Sequence, residues 1–159
     1  MKTAVPTPQL LRHPFVAGLP GRLIEELAPL ARETRFAPDQ VVFREGEDCH
    51  DFYLVLSGRV ALEIASGGTT LRVQTVTGGD EFGWSAVLMG RGKHFQARAL
   101  DTVEALAFDG PAVLELCRED TELGFELMYR LLGVVSERLH ATRLQLLDTY
   151  WPVAKRAGA

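Results

Sequence analysis

Apolar and polar positions divide the chain into three stretches of different period. In the first, Leu23, Ile24, Leu27 and Leu30 recur at intervals of three and four. This spacing predicts a short helix over Gly21 to Ala31, opened by Pro20 and stopped early or kinked by Pro29. The prolines and missing period of Thr3 to Pro8 predict a loose arm over residues 1–9, with structure beginning near Leu10. From Thr34 to Phe108 the pattern changes to short alternating or continuous apolar runs: Val41 to Phe43, Phe52 to Leu56, Val60 to Ile64, Leu71 to Val76 and Val103 to Phe108. Between them lie turn residues, at Ala37-Pro38-Asp39, Glu45-Gly46-Glu47, Ser57-Gly58, Ser66-Gly67-Gly68 and Thr77-Gly78-Gly79-Asp80. Short strands punctuated in this way imply a sandwich or a rolled barrel.

After Gly110 the helical period returns. A helix is expected over Ala112 to Cys117 with Pro111 in its first turn, and a much longer one over Asp120 to Asp148, capped by Asp120 or Thr121 and stopped at Trp151-Pro152. The long helix carries more apolar surface than one stripe needs. Leu123, Leu127, Leu131 and Val134 form one face, suited to packing on the barrel. Met128, Leu132, Val135, Leu139, Thr142 and Leu146 form another, with the alternating spacing of a coiled-coil seam. That second face is expected to pair two copies of the chain; burial on two sides within a monomer is the alternative.

Composition narrows the functional classes. A chain of 159 residues can bury one core without disulfides or metal, so a single domain over 10–150 is expected, followed by a short tail at 151–159. With 21 acidic and 17 basic side chains, a net charge of -4 and no basic cluster, nucleic acid is not an expected partner. Cys49 and Cys117 lack the spacing of a metal or redox pair and read as small core residues. No apolar run is long enough for a membrane span and no signal core follows Met1-Lys2-Thr3, so a cytoplasmic protein without membrane contact is expected.

Enzymatic chemistry finds little support. A cupin-type metal site needs a His-x-His pair with further ligands, whereas His13, His50, His94 and His140 are isolated and read as surface or packing residues. There is no Gly-x-Ser-x-Gly elbow, and Glu47 with Asp51 reads as a solvated acidic corner. Gly90-Arg91-Gly92-Lys93 lacks the first glycine and the final hydroxyl residue of a phosphate loop. The expectation is a non-enzyme with no catalytic residues and no metal.

Two motifs sharpen the picture. The run from Glu45-Gly46-Glu47 through Phe52-Tyr53-Leu54-Val55-Leu56 to Gly58-Arg59-Val60, and the run Gly79-Asp80-Glu81-Phe82-Gly83-Trp84-Ser85-Ala86-Val87-Leu88, occur in this order ahead of the long helix. Over about Leu10 to Tyr150 the chain resembles the cyclic nucleotide-binding domain superfamily, in particular short bacterial members that carry the sensor domain alone. The resemblance implies a mainly β fold with flanking helices: a β-roll (double-stranded β-helix, or jelly roll) plus a long C-terminal dimerisation helix. In such a roll Gly46 and Gly58 would take positive φ at tight corners, and Phe52, Leu54 and Leu56 would alternate inward. The second run would be the start of the phosphate-binding cassette, a turn leading to a short helix whose free N–H groups face the phosphate.

The resemblance also marks departures. Members that bind a cyclic nucleotide carry Phe-Gly-Glu, whose carboxylate accepts a hydrogen bond from the ribose 2′-hydroxyl; here Trp84 takes that place. The family's phosphate-pairing Arg falls at Lys93 when Ala97-Arg98-Ala99 is aligned with the next strand. Lys supplies a point charge without the bidentate fork, and an indole has no acceptor atom. Arg91, Lys93, His94 and Arg98 could form an anion-binding group, or a solvated loop with one structural Arg. Trp84 could fill the ribose space, form a wall for another ligand, or pack as core. The expected ligand contacts are Phe82, Gly83, Trp84, Ser85, Arg91, Lys93 and His94, for a cyclic nucleotide or other small anion, with no certain cofactor. The expected role is a sensor or adaptor acting through dimer rearrangement, in which the long helix shifts against the barrel, or through an unidentified regulatory protein partner. Weak but genuine cyclic AMP or cyclic GMP binding, and a ligand-free dimeric scaffold, are the alternatives.

Overall fold

The computed structural model describes residues 7–88 and 95–150. Two four-stranded antiparallel sheets form the roll. The first has the order β1 (Ala31–Phe36), β8 (Val103–Asp109), β3 (Asp51–Ser57), β6 (Glu81–Phe82). The second has the order β2 (Val41–Phe43), β7 (Gln96–Ala99), β4 (Arg59–Ser66), β5 (Thr69–Thr77). The five expected strands are all present within a residue or two of their predicted ends. Facing side chains fill the space between the sheets: Phe36, Tyr53, Val55, Phe82, Val103, Ala105 and Ala107 from one, and Phe43, Val60, Leu62, Val76, Ala97 and Ala99 from the other.

The inward set on β3 differs from the expected one. Tyr53 and Val55 face the roll interior, while Phe52 and Leu54 are buried on the opposite face and Leu56 is half-buried. Five consecutive apolar residues carry no phase, because burial on both sides removes the polar alternation that would reveal it. The far face is covered by helical segments, with the Phe15 ring 5.4 Å from that of Phe52. Leu10, Val16, Leu23, Ile24, Leu27, Val113 and Cys117, all buried, come from these segments.

The helix ends differ from their patterns: the helix after Pro20 stops sooner, the one after Asp109 extends further at both ends, and the long one runs two residues past its expected end at Asp148. The expected loose arm contains α1 (Thr7–Leu11), in which Pro8 stands where a missing N–H costs nothing. The expected helix to Ala31 ends as α2 (Gly21–Leu27); Pro29 lies in a following 3-10 turn, and Ala31 already belongs to β1. The cassette helix α3 (Ser85–Leu88) is a single turn. Asp109 caps α4 (Gly110–Glu119) by accepting from the Ala112 amide at 3.0 Å, with Pro111 in the first turn as expected. Asp120 caps α5 (Thr121–Tyr150), accepting from the amides of Glu122 and Leu123 at 3.1 and 3.2 Å. Trp151-Pro152 and the tail lie outside the described residues. The chain divides into two compact units, one up to Glu126 and the other from Leu127. No helix among the described residues is long and apolar enough to cross a membrane.

His13 is the buried packing histidine of the set. It is 3% exposed; its Nδ1 accepts from the Phe15 amide at 3.1 Å and its Nε2 lies 3.0 Å from the Val55 carbonyl. An acceptor at one nitrogen and a donor at the other define the neutral ring with its proton on Nε2. Burial pushes its pKa below the ordinary value, against smaller opposing contributions from Val55 and Asp80. The unfolded chain therefore takes up a proton first as pH falls, so this contribution is complete above about pH 6.5 and is lost progressively as pH falls below that value and through the lower folded pKa. Urea unfolding of the wild type and His13→Gln, followed from about pH 7.5 to pH 5, should show their midpoint difference shrinking on acidification. A difference independent of pH would show that His13 is not held neutral.

Candidate functional site

The cassette is fixed by its attachment to β3. Gly79 donates to the Val55 carbonyl at 2.9 Å, the Val55 amide donates to the Asp80 carbonyl at 2.9 Å, and Asp80 closes the turn by accepting from the Thr77 amide at 2.8 Å. The Val55 carbonyl thus receives both the cassette turn and His13. Strand β6 continues this attachment, with Phe82 opposite Tyr53 and Glu81 opposite Leu54.

Phe82 is fully buried in the roll, its ring stacked on Tyr53 at 4.8 Å and 13° and lying 6.0 Å from Phe43. The ring of Phe82, an expected ligand contact, belongs to the packed interior of the roll. Burial also pushes the Tyr53 hydroxyl well above the ordinary tyrosine range, with smaller contributions in the same direction from Cys49 and Asp51. Cys49, Val42, Val73 and Phe95 pack half-buried against this aromatic group.

Past Phe82 the chain turns at Gly83, whose φ of 80° lies in the left-handed region that side chains resist. Ser85 is buried and Trp84 half-buried. The expectation of several free amides at the helix start is only partly met, because Ala86 donates to the Gly83 carbonyl, and Val87 and Leu88 donate to that of Trp84. The Trp84 Nε1 atom is shut off from water and has no acceptor among the described residues. Of the expected contacts, the structure brings Gly83, Trp84 and Ser85 into one turn. Arg91, Lys93 and His94 lie outside the described residues.

Arg98 is not available to an anion. Its Nε and Nη2 donate to the two oxygens of Glu63 at 3.0 Å each, and Nη1 donates to Asp39 at 3.1 Å. Glu63 is 4% exposed and also accepts from Gln96; Arg98 holds its carboxyl below the usual carboxylate range. This forked pair secures β4 to β7 on the side away from the roll interior. Neither Glu63 nor Asp39 stood out in the sequence, since their separations from Arg98 are 35 and 59 residues.

Asp51 is not a freely solvated corner: it accepts from Arg32 at 2.6 Å. Cys117 is buried, and both cysteines are free. His50 lies 3.6 Å from Asp48, His140 is exposed, and among the described residues no group of three or more His, Cys, Asp or Glu side chains could hold a metal ion. An open groove of about 390 Å³ runs past Glu33, Arg35, Leu56 and Glu104, and no expected site residue lines it. On α5, Leu132, Leu139 and Leu146 are 63%, 51% and 57% exposed, while Met128 and Val135 are half-buried and the Thr142 hydroxyl donates to the Arg138 carbonyl. Tyr129 and Tyr150, 68% and 78% exposed, extend the leucine stripe one position to the side of the expected seam.

The comparisons agree with this architecture. A Geobacter metallireducens GS-15 protein named for cyclic nucleotide binding superposes with a TM-score of 0.75 at 26% identity, over 86% of this chain and 99% of that one. A cyclic nucleotide-binding domain from Methylobacillus flagellatus KT gives a TM-score of 0.79 at 17% identity, over 90% and 83% of the two chains. The potassium channel AKT1 of rice, Oryza sativa subsp. indica, is 26% identical over 121 residues, which is 76% of this chain but 13% of the channel. The family model for the cyclic nucleotide-binding domain matches residues 33–120, from β1 through α4. With its paired sheets, cassette turn and following helices in the family's order, the chain belongs to the cyclic nucleotide-binding domain family.

Proposed function

We propose that the chain is a non-enzymatic, dimeric sensor or adaptor module of this family, whose cassette does not hold cyclic AMP or cyclic GMP tightly and whose output is read by a protein partner. The observation that carries this reading is Trp84, placed directly after the buried Phe82 and Gly83. A carboxylate at that point would accept a charge-assisted hydrogen bond from a ribose hydroxyl. An indole can only donate, so the hydroxyl proton loses its acceptor at a cost of about 1–3 kcal/mol. With Lys93 in place of a bidentate Arg, the combined loss is of the order that separates micromolar from millimolar binding.

Two backbone contacts support a route from cassette to long helix. A Cβ on Gly110, at the start of α4, would lie 2.3 Å from the Ala86 carbonyl oxygen of α3. One on Gly124, in the first turns of α5, would lie 2.6 Å from the Cys117 carbonyl oxygen of α4. Where main chain rests on main chain, no flexible side chain absorbs a displacement, so movement of the cassette helix passes to α4 and to the start of α5. Pairing of two copies through Leu132, Leu139 and Leu146 would cover an exposed apolar stripe that water otherwise surrounds.

Calorimetric titration with cyclic AMP and cyclic GMP should show binding weaker than about 10 micromolar, and tighter binding would overturn the reading of the cassette. Replacing Trp84→Glu together with Lys93→Arg should strengthen that binding by at least about tenfold; no gain would instead support a filled roll and the scaffold alternative. Sedimentation on the order of 100 micromolar should give a dimer that Leu139→Asp dissociates, and a monomeric wild type would rule the pairing out.

A further inference from the structure

Arg22 and Glu26 lie one turn apart on α2, facing the start of α5. The Arg22 guanidinium gathers three carboxylates: Nη1 donates to Glu26 at 3.0 Å and to Asp120 at 2.7 Å, and Nη2 donates to Glu122 at 2.6 Å. With all three ionised the group would carry two uncompensated negative charges. Asp120 is the best satisfied of them, since its other oxygen also receives the amides of Glu122 and Leu123 as the cap of α5. Glu26 is the worst. Its Oε1 has Arg22, but its Oε2 is closed off from water and has no donor among the described residues.

An ionised Glu26 would leave a bare acceptor beside a second carboxylate. A protonated Glu26 becomes a donor with Asp120 as its acceptor, which removes both penalties at once. We propose that Glu26 and Asp120 share one proton and form an acid-tightened latch that holds α2 against the first turn of α5. The charged groups acting on Glu26 are Arg22 from its own helix and Asp120 from α5, with Glu122 held on the far side of Arg22. Their balance runs in the required sense. The hydrogen bond to Asp120 leads in raising the Glu26 pKa above its ordinary value, and Arg22 leads in holding Asp120 down to about 2.

The sign of the effect follows from which state holds the proton. A carboxyl that binds its proton more tightly when folded contributes fully below its unfolded pKa, about 4.3 for a glutamate, and loses that contribution as pH rises through the folded value. The latch therefore tightens as pH falls from neutrality. The Asp120 cap persists throughout, because Asp120 gives up its charge only near pH 2.

Glu26→Gln mimics the protonated state at every pH. In thermal melts of the full chain the variant should be more stable than the wild type by a few degrees near pH 7, with the difference shrinking on acidification and vanishing below about pH 4. His13 is common to both chains and cancels in that difference. The Glu26 carboxyl resonance should titrate above the ordinary glutamate value, and intrinsic-rate-corrected exchange of the Glu122 and Leu123 amides should slow on acidification in the wild type but not in Glu26→Gln. A melting difference that stays flat with pH, a wild type more stable than the variant at neutrality, or an ordinary Glu26 titration would each overturn the latch. None of these outcomes bears on Trp84 or on pairing of copies, so the latch and the proposed function stand or fall separately.

Discussion

Strand β3 has no wet face along its middle, and much of the molecule follows from that. Phe52, Tyr53, Leu54 and Val55 are all buried, so each side of the strand needs a cover. The second sheet supplies one and the helical segments the other. Partner residues on β8 sort by size: Tyr53 and Val55 face Ala107 and Ala105 on the roll side, whereas Phe52 and Leu54 face Phe108 and Leu106 on the helix side. The roll interior already holds the rings of Phe36, Phe43, Tyr53 and Phe82, which leaves only methyl-sized room at Ala105 and Ala107 of β8. A slip of one residue would drive large side chains into that space. Polarity cannot set the register of this strand, so volume does.

The same strand carries the functional geometry. The Val55 carbonyl receives both the cassette turn and His13, so the N-terminal helical segment and the cassette turn are referred to a single backbone atom. Phe82 stacks on Tyr53 and thereby fixes where Gly83 turns the chain. The direction taken by Trp84 is in this sense a result of core packing two residues upstream, and a cassette built in this way can change its recognition chemistry without losing its position.

These dependences explain what could be seen in the sequence. Strands bounded by glycine turns and helices with a clear period of three and four were legible, as was Asp120 as one of two candidate caps of the long helix, whereas the cap Asp109 was not read. Strand β1 was not fully seen, because Ala31-Arg32-Glu33-Thr34-Arg35-Phe36 buries only its two ends. Strand β6 has two residues, and β7 alternates polar groups with alanine, too small to mark a core face unaided. The phase of β3 was hidden by its burial on both sides. Of the candidate site, the Phe82 to Ser85 turn was legible through its resemblance to the family's cassette. The engagement of Arg98 was not, since Glu63 and Asp39 reach it only through strand pairing and a distant turn.

In the proposed sensor, recognition and transmission would reside in different kinds of atoms. A ligand meeting Trp84 would be selected by a side chain, and a substitution there would alter which ligand atom is matched. The proposed route onward is made of main chain: the Ala86 carbonyl against Gly110, then the Cys117 carbonyl against Gly124. A change of specificity at Trp84 leaves that route untouched, whereas a methyl group added at Gly110 would force α3 and α4 apart whatever occupies the roll. The route ends at the first turn of α5, where Asp120 is both helix cap and partner of Arg22. A displacement arriving there must work against the cap and its ion pairs. In the proposed sensor the charge state of those groups would set how much force the cassette must deliver, and proton concentration would adjust that threshold without any change in the ligand.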